Sequence, residues 1–301
     1  EIEERDWSSD VCSSDLTLEA VCERETRGPT MTFDPSKLSA EERMKLKENI
    51  AALRSRFALF TRQDNLQVGD IVSWKPGLTN RRYPVPGTAG IVTRVFPVPV
   101  YDESKTDAGS PYFREALTVS IGVIDKDGDF TEFTYDGQRL QRMLPSELTG
   151  KNAGIVCDGC GAEEFTGARY HCCECDDFDL CAKCHDAGAE PGDHSRHHKM
   201  TLVEPCSATL LQERLAAMQE NTCFQPGDLV QWKHGLKNKR LPEVDQMGVV
   251  VEVLPTPVTD SDKGASGSYF LEPLDLRIGI VDDDGDFTIF HYDSRRFRKV
   301  M

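Results

Sequence analysis

Two stretches of the chain share one pattern of short apolar runs separated by Gly, Pro and Asp. They cover residues 67–143 and 225–300, and open VGDIVSWKPGLTNRRYP and PGDLVQWKHGLKNKRLP. They also end alike, with SIGVIDKDGDF in the first and RIGIVDDDGDF in the second. Self-similarity of this kind indicates internal duplication. Because short apolar runs between turn residues are typical of small antiparallel β structures, we predict two SH3-like β-barrels.

A helical pattern precedes each repeat. Before the first repeat, apolar residues recur at helical spacing and predict a helix over about 39–60: Met44, Leu46, Ile50, Leu53, Phe57 and Phe60. Ser39 and Glu42 have the spacing of a capping box at its start. We expect the apolar face of this helix to pack on the following domain. A second helix is predicted over about 207–221 from Leu210, Leu211, Leu215 and Met218.

The turn inside each repeat is rich in aspartate. Asp125-Lys-Asp-Gly-Asp129 and Asp282-Asp-Asp-Gly-Asp286 place carboxylates at alternate positions, which raises the possibility of calcium binding. An EF-hand loop needs Gly at its sixth position and Glu at its twelfth, and here the sixth is Phe130. Asp-Gly between two apolar runs is a strong hairpin signal. The pattern therefore favours a hairpin over a metal site.

Charge and composition narrow the classes of function. The formal net charge of −16 argues against binding to nucleic acids or anionic membranes, which require a basic surface, and is compatible with basic protein partners. No apolar run approaches the length of a membrane span. Eleven cysteines, an odd number, without a secretory signal suit a reducing compartment, so we expect an intracellular protein.

Metal-ligand spacing is concentrated between the two repeats. Three Cys-x-x-Cys pairs are followed by a His cluster: Cys157/Cys160, Cys172/Cys175 and Cys181/Cys184, then His194, His197 and His198. Three Cys pairs and one His pair supply eight ligands, enough for two tetrahedral zinc ions. No coordination position is left open, so both ions are predicted to be structural and not catalytic.

These residues and their neighbours resemble a ZZ-type zinc finger. The similarity extends from Cys-Asp-Gly-Cys at 157–160 to His-Lys-Met at 198–200. It implies a cross-brace in which the first ion is held by Cys157, Cys160, Cys181 and Cys184. The second ion would be held by Cys172, Cys175, His194 and His198. His197 is the alternative to His198, which fits the motif better.

Acidic residues crowd this segment beyond what the metals require. In ZZ domains that bind peptide amino termini, aspartates at matching positions form the binding pocket. By this resemblance Asp158 would hold the α-amino group, and Asp177 with Asp179 would hold a basic or polar first side chain. Alternatively, these residues bind another protein, or they increase solubility, shape the turns and form hydrogen bonds with the zinc ligands.

The predicted organisation is that of a mainly β, multidomain protein. It comprises a disordered or artefactual leader (1–30), an N-terminal helix (31–66), barrel repeat 1 (67–145), the zinc finger (152–204), a helix (205–223) and barrel repeat 2 (224–301). This order is similar to the barrel–ZZ–barrel arrangement of Mind bomb-type ubiquitin ligases. No RING-type Cys/His set follows the second repeat, and no recognisable catalytic constellation is present.

The sequence thus predicts a non-enzymatic, zinc-dependent module that binds a protein or peptide with a basic or free amino terminus. The alternatives are the substrate-recognition part of a ubiquitin-ligase system and a purely scaffolding protein.

Overall fold

The computed structural model describes residues 38–260 and 262–300. The predicted leader, residues 1–30, lies outside the described residues. The described chain is mainly β, with three antiparallel sheets and three α-helices. By its internal contacts the chain divides into residues 1–51 and 52–301, and all of the sheets belong to the second part.

The first repeat forms a five-stranded antiparallel sheet. Its strands are β1 (Ile71–Trp74), β2 (Gly90–Val100), β3 (Leu117–Ile124), β4 (Phe130–Tyr135) and β5 (Leu140–Arg142). Their spatial order is β4-β3-β2-β1-β5. Alternate residues of these strands point to one side and form a buried core of Val72, Val92, Val119, Ile121, Val123, Tyr135 and Leu140.

The second repeat has the same sheet topology as the first, in agreement with the similarity of the two sequences. Its strands are β9 (Leu229–Trp232), β10 (Gly248–Val258), β11 (Leu274–Val281), β12 (Phe287–Tyr292) and β13 (Phe297–Lys299). Their order, β12-β11-β10-β9-β13, matches that of the first repeat strand by strand. Its core is formed by Val230, Trp232, Val250, Leu276, Ile278, Ile280, Tyr292 and Phe297.

The prediction of closed barrels is not confirmed. Within the described residues, no backbone pairing joins β4 to β5 or β12 to β13, so both sheets remain open. Only residues 136–139 connect the two edge strands of the first sheet, and they form a 3-10 helix, Gly137–Arg139. Because this connection is short, the sheet must curl until the edge strands β4 and β5 approach each other. The connection itself is a helical turn, and it takes the place where the two strands would pair in a closed barrel.

The aspartate-rich turns are hairpins, as predicted. The Asp125 side chain accepts hydrogen bonds from the backbone N–H groups of Asp127 and Asp129, both at 3.0 Å. Gly128 has a φ of +85°, which this turn requires and which favours glycine. Asp282 makes the equivalent bonds in the second repeat. One carboxylate of each turn is thus used to shape the backbone.

The first helix, α1 (Ala40–Thr61), agrees with its predicted bounds. Its capping box is present, because the Ser39 hydroxyl accepts from the Glu42 N–H and the Glu42 carboxylate accepts from the Ser39 N–H. The expected packing of its apolar face is not found for its second half, where Leu53 and Phe57 are exposed.

The segment between the repeats forms a small sheet and a short helix. Strands β6 (Arg169–Cys172), β7 (Asp179–Cys181) and β8 (Met200–Val203) pair in the order β7-β6-β8. Helix α2 (Ala182–Asp186) follows β7 directly. The apolar interior of this segment is small and consists mainly of cysteines with Phe178 and Leu180.

The third helix, α3 (Ala208–Gln219), connects this segment to the second repeat. Ser207 is its N-cap and accepts a hydrogen bond from the Leu210 N–H. Its buried residues are the four apolar residues that the sequence indicated: Leu210, Leu211, Leu215 and Met218. Although α3 precedes the second repeat in sequence, three of them pack on the first repeat.

Candidate functional site

The first candidate metal centre consists of four cysteines from two segments of the chain, 157–160 and 181–184. Their sulfur atoms lie within 4.8 Å of one another and belong to Cys157, Cys160, Cys181 and Cys184. Gly159 permits this approach, because a Cβ at that position would lie 2.8 Å from the Cβ of Cys184. Four thiolates at this separation suit tetrahedral Zn²⁺.

The protein environment prepares one of these thiols for the metal. Burial would raise the pKa of Cys157, but N–H groups of Cys181, Cys160 and Gly159 lower it to about 7. Desolvation and the neighbouring thiols of Cys181, Cys160 and Cys157 instead raise the pKa of Cys184 to about 12. Four thiolates are therefore stable together only with a cation between them, which zinc supplies.

The second candidate centre combines two cysteines with two histidines: Cys172, Cys175, His194 and His198. The Nδ1 atom of His198 lies 3.3 Å from the sulfur of Cys175 and 3.7 Å from that of Cys172. His194 Nδ1 lies 3.5 Å from the Cys175 sulfur. Usual Zn–S and Zn–N bond lengths at the tetrahedral angle give a separation of about 3.6 Å. This donor set therefore fits a second structural zinc ion.

Two nearby residues are excluded from these ligand sets. His197 is exposed and is not part of either group, which decides between it and His198. Cys173 is also exposed, and its sulfur lies 3.1 Å from the Thr201 hydroxyl. Both residues are natural controls for substitutions of the ligands.

Asp179 is engaged with residues of the chain itself. Its Oδ1 atom accepts a hydrogen bond from Arg169 at 2.7 Å and lies 3.0 Å from Nδ1 of His171. Burial alone would raise the pKa of Asp179, but the hydrogen bond from His171 and the charge of Arg169 hold it below its usual range. The pair Arg169–Asp179 is buried and joins β6 to β7.

Asp158 and Asp177 are both exposed, but they line two different pockets, which meet at Cys175 and Asp176. Asp158 lines a groove of about 530 Å³ beside the second zinc site, which we call the acidic groove. Its lining includes Asp158, Glu174, Asp176, Phe178, Pro191, Asp193, His194 and His198. Asp177 lines a separate cleft of about 600 Å³, between the zinc segment and both repeats.

Three acidic residues of this groove were not predicted from the sequence as binding residues. Glu174, Asp176 and Asp193 line the groove with Asp158. Each is directly adjacent in sequence to a zinc ligand, Cys175 or His194. This adjacency is the feature of the sequence from which their place beside the zinc site could have been predicted. A residue next to a ligand is fixed by the metal and cannot move far from the site.

The zinc segment has a clear relative among known domains. The family model described as "Zinc finger, ZZ type" matches residues 151–196. Residues 151–196 are a ZZ-type zinc finger. The two ligand groups are those of a ZZ finger with two structural zinc ions, and the geometry assigns the last ligand to His198.

Individual relatives match over the length of one ZZ finger. The human protein named E3 ubiquitin-protein ligase KCMF1 is 40% identical over 53 residues, which is 18% of this chain and 14% of that protein. The Caenorhabditis elegans E3 ubiquitin-protein ligase kcmf-1 is 51% identical over 41 residues, 14% of this chain and 7% of that protein. The chain thus spans a small part of the curated relatives it matches.

A match is also found among solved structures. It is a crystal structure of the HERC2 ZZ domain in complex with a SUMO1 tail, 34% identical, covering 18% of this chain and 90% of that one, with a TM-score of 0.16. The family match ends within the zinc segment, and the Mind bomb-like arrangement of the flanking repeats is not confirmed.

A ZZ finger is a zinc-binding protein-interaction module, so the chemistry of this site is binding at a surface that the metals hold in place. Among the described helices, none has the length and apolar character needed to cross a bilayer.

The hairpin turn of the first repeat contributes an unusual carboxylate to the cleft beside the ZZ finger. Burial and the nearby Asp125 charge raise the pKa of Asp129 to about 7. Burial likewise raises the pKa of Asp125 to about 6. Since folding opposes their ionisation, the stability contributed by these groups is fully present below pH 3.8, where the unfolded carboxyl groups are protonated too, and is lost progressively until the pH passes their folded pKa values of about 6 and 7.

We therefore expect Asp129→Asn to stabilise the protein relative to wild type at both pH values, and by about 1–2 kcal/mol more at pH 8.5 than at pH 5.5, where the folded Asp129 is still protonated. Urea unfolding of the zinc-loaded protein at both pH values measures this difference. Asp286→Asn, at the exposed counterpart in the second repeat, is the matched control. An equal effect of Asp129→Asn at both pH values would contradict this explanation.

Proposed function

We propose that the ZZ finger binds the amino-terminal end of a protein or peptide with a basic or small first residue, and that the acidic groove is the binding site. The supporting observation is the lining of that groove. Four carboxylates line it, and its lining contains no Lys or Arg. Such a site is suited to an ammonium or guanidinium group, which forms charge-assisted hydrogen bonds with carboxylates.

The second zinc site does not offset this negative charge. Two thiolates and two neutral imidazoles around Zn²⁺ carry no net charge. The field in the groove is therefore set by Asp158, Glu174, Asp176 and Asp193. A cationic ligand is favoured there, and an acidic one is repelled.

Asp158 is the proposed partner of the α-ammonium group. Its Oδ2 atom accepts a hydrogen bond from the Asp179 N–H at 2.7 Å, and its own N–H donates to the Asp179 carbonyl at 2.8 Å. The carboxylate is therefore oriented before a ligand arrives, which lowers the entropic cost of binding. Phe178, stacked on His194 at 4.0 Å, and Pro191 provide apolar surface beside it.

Asp177 and Asp179 would contribute in different ways. Asp177 is exposed, with a φ of +50°, and it faces the neighbouring cleft, where a basic first side chain could extend. Asp179, whose Oδ1 atom is taken by Arg169 and His171, would act by holding Asp158 through its backbone N–H.

Zinc and peptide binding are linked in this proposal. Asp158 follows Cys157, Asp193 precedes His194, and Glu174 and Asp176 flank Cys175. Each carboxylate is thus placed by a metal ligand next to it. A finger without zinc should lose the groove as well as the fold.

A second candidate function is substrate recognition in a ubiquitin-ligase system. The observation that favours it is the similarity to KCMF1 proteins, which are named E3 ubiquitin-protein ligases. The shared part is a ZZ finger, so we propose a recognition role for this chain and not a catalytic one. We further propose that the two repeats flank the finger as SH3-like scaffold domains, and that the protein acts inside the cell without nucleic-acid partners.

Asp158→Asn tests the proposed site. We expect it to weaken binding of a peptide with a free amino terminus by about 10- to 100-fold, because one charge-assisted hydrogen bond is lost. Fluorescence anisotropy with a labelled peptide that begins with Arg measures the affinity. Asp186→Asn, at an exposed aspartate in α2 outside the groove, is the control. Unchanged affinity in the Asp158 variant, with two zinc ions still bound, would exclude this groove.

A further inference from the structure

The two repeats of the chain already form one interface, and α3 takes part in it. On α3, Leu211, Leu215 and Met218 are buried. They belong to one hydrophobic cluster with four residues of the first repeat, which we call the first receiving face: Ile71, Ala89, Ile91 and Phe130.

Helix α3 is fixed to the second repeat. The Nζ atom of Lys233 donates to the carbonyl groups of Ala217 at 2.8 Å and Glu220 at 2.9 Å. The guanidinium group of Arg214 lies directly over Gly235, so a side chain at this position would displace it. Helix α3 and the second repeat therefore form one body, and this body presents α3 to the first receiving face.

The second half of α1 has the same relation to the first repeat. Lys75, the counterpart of Lys233, donates to the Arg62 carbonyl and forms an ion pair with Asp64 at 3.0 Å. Arg56, the counterpart of Arg214, lies over Gly77 in the same way. The second half of α1 is therefore held against the first repeat by the same kinds of contact that hold α3 against the second repeat.

The correspondence places three apolar residues of α1 at the positions of Leu211, Leu215 and Met218: Leu53, Phe57 and Phe60. Leu211 and Leu215 are 0% and 8% exposed, whereas Leu53 and Phe57 are 71% and 69% exposed. This half of α1 thus presents the same kind of apolar surface as α3. The described part of the chain leaves Leu53 and Phe57 uncovered, and Phe60 is half-buried beside Arg139.

The second repeat has a counterpart of the first receiving face, which we call the second receiving face: Leu229, Met247, Val249 and Phe287. Phe130 is 0% exposed beneath α3, whereas Phe287, its counterpart, is 57% exposed. Leu229 and Met247 are exposed as well. Within residues 38–260 and 262–300, there is therefore one filled receiving face, one open receiving face and one helix surface without a partner.

We propose that this protein self-associates head to tail, with Leu53, Phe57 and Phe60 of α1 in one molecule packing on the second receiving face of another. The interface between copies would repeat the interface that α3 and the first repeat form within the chain. The occupant of the open face is thus a second copy of this chain.

The polar contacts of the existing interface can also be repeated. Within the chain, the Phe130 N–H donates to the Gly235 carbonyl at 2.7 Å, and Arg296 donates to the Phe130 carbonyl at 2.9 Å. Between copies, Phe287 would take the place of Phe130, Gly77 that of Gly235 and Arg139 that of Arg296. Arg139 already donates to the Leu78 carbonyl at 3.2 Å, as Arg296 does to that of Leu236.

One pair differs between the two interfaces. Arg295 and Glu132 form an ion pair at 3.2 Å within the chain. Their counterparts are Gln138 and Ile289, so the pair is lost but no charge is buried alone.

An interface of this kind uses different surfaces on the two molecules, and each added copy leaves one helix and one receiving face free. Association should therefore continue into short chains and not stop at a symmetric dimer.

Full-length, zinc-loaded protein tests the proposal by sedimentation velocity over a range of concentrations. Wild type should show a sedimentation coefficient that rises with concentration. The helix variant, Leu53→Glu with Phe57→Glu, and two face variants, Phe287→Glu and Leu229→Glu, should each weaken association by about 100-fold or more. All four positions are exposed, so the fold and two zinc ions should be retained. Val98→Glu, at an apolar residue equally exposed elsewhere, is the control.

Mixing two defective chains gives the sharper result. The helix variant retains an intact receiving face, and the Phe287 variant retains an intact helix, so an equimolar mixture should form a one-to-one complex that does not grow. A monomeric wild type at its highest soluble concentration, or a mixture that shows no complex, would overturn the proposal. Association of undiminished strength in the helix variant and the two face variants would also overturn the proposal.

Discussion

Replacing Cys157 by serine leaves the protein with at most one zinc ion per chain and an unfolded ZZ finger. Cys157 is a buried ligand of the first site, and its thiolate is the one that backbone N–H groups stabilise. Structural zinc supplies an apparent binding free energy of about 10–16 kcal/mol, far more than this small segment can gain from its few apolar residues. Metal analysis after gel filtration measures the loss directly.

Cys173→Ser is the control for that experiment, since Cys173 lies beside a ligand but is exposed and outside both groups. It should retain two zinc ions. The two repeats should remain folded in both variants because each has its own hydrophobic core. Two zinc ions in the Cys157 variant would contradict the assignment of the first site.

Arg296→Leu should destabilise the protein by about 3–5 kcal/mol, the range found when one partner of a buried ion pair is removed. The Arg296 side chain is 1% exposed, and it donates to the carbonyl groups of Phe130 and Leu236, both at 2.9 Å. It also lies 3.4 Å from the buried carboxylate of Glu272. Loss of the Arg296 side chain would leave the carbonyl groups of Phe130 and Leu236 without this hydrogen-bond donor at the interface between the repeats.

Urea unfolding of the zinc-loaded protein measures this change. Arg139→Leu, at the counterpart in the first repeat, is the matched control. The Arg139 side chain is more exposed than that of Arg296, and it donates to one carbonyl group, that of Leu78, whereas Arg296 donates to two. We expect the control to cost about 1–2 kcal/mol. Equal losses in the two variants would show that Arg296 has no special role between the repeats.

The zinc ligands could be predicted because the information is local. A Cys-x-x-Cys pair brings two thiolates to one ion whatever surrounds it, and the choice of His198 over His197 followed from the motif. The duplication was visible for the same reason, since it depends only on comparing one stretch of sequence with another. The capping box at Ser39 and the hairpin at Asp125 are also local and are confirmed.

The contacts between distant segments could not be predicted in this way. The sequence gives α3 an apolar face but does not show that the face belongs on the first repeat, because that choice depends on how the repeats dock. Asp179 looks like any acidic surface residue until Arg169 and His171 are brought to it by the pairing of β6 with β7. The open sheets were missed because alternating apolar runs do not distinguish a curled sheet from a closed barrel.

The central proposal is that the ZZ finger reads a free amino terminus in the acidic groove. Calorimetric titration of zinc-loaded protein with one peptide in two forms, with a free and with an acetylated amino terminus, tests it most directly. We expect the free form to bind and the acetylated form to bind at least about 10-fold more weakly, because acetylation removes the charge that Asp158 would pair with. Equal affinity for the two peptides would contradict the proposal.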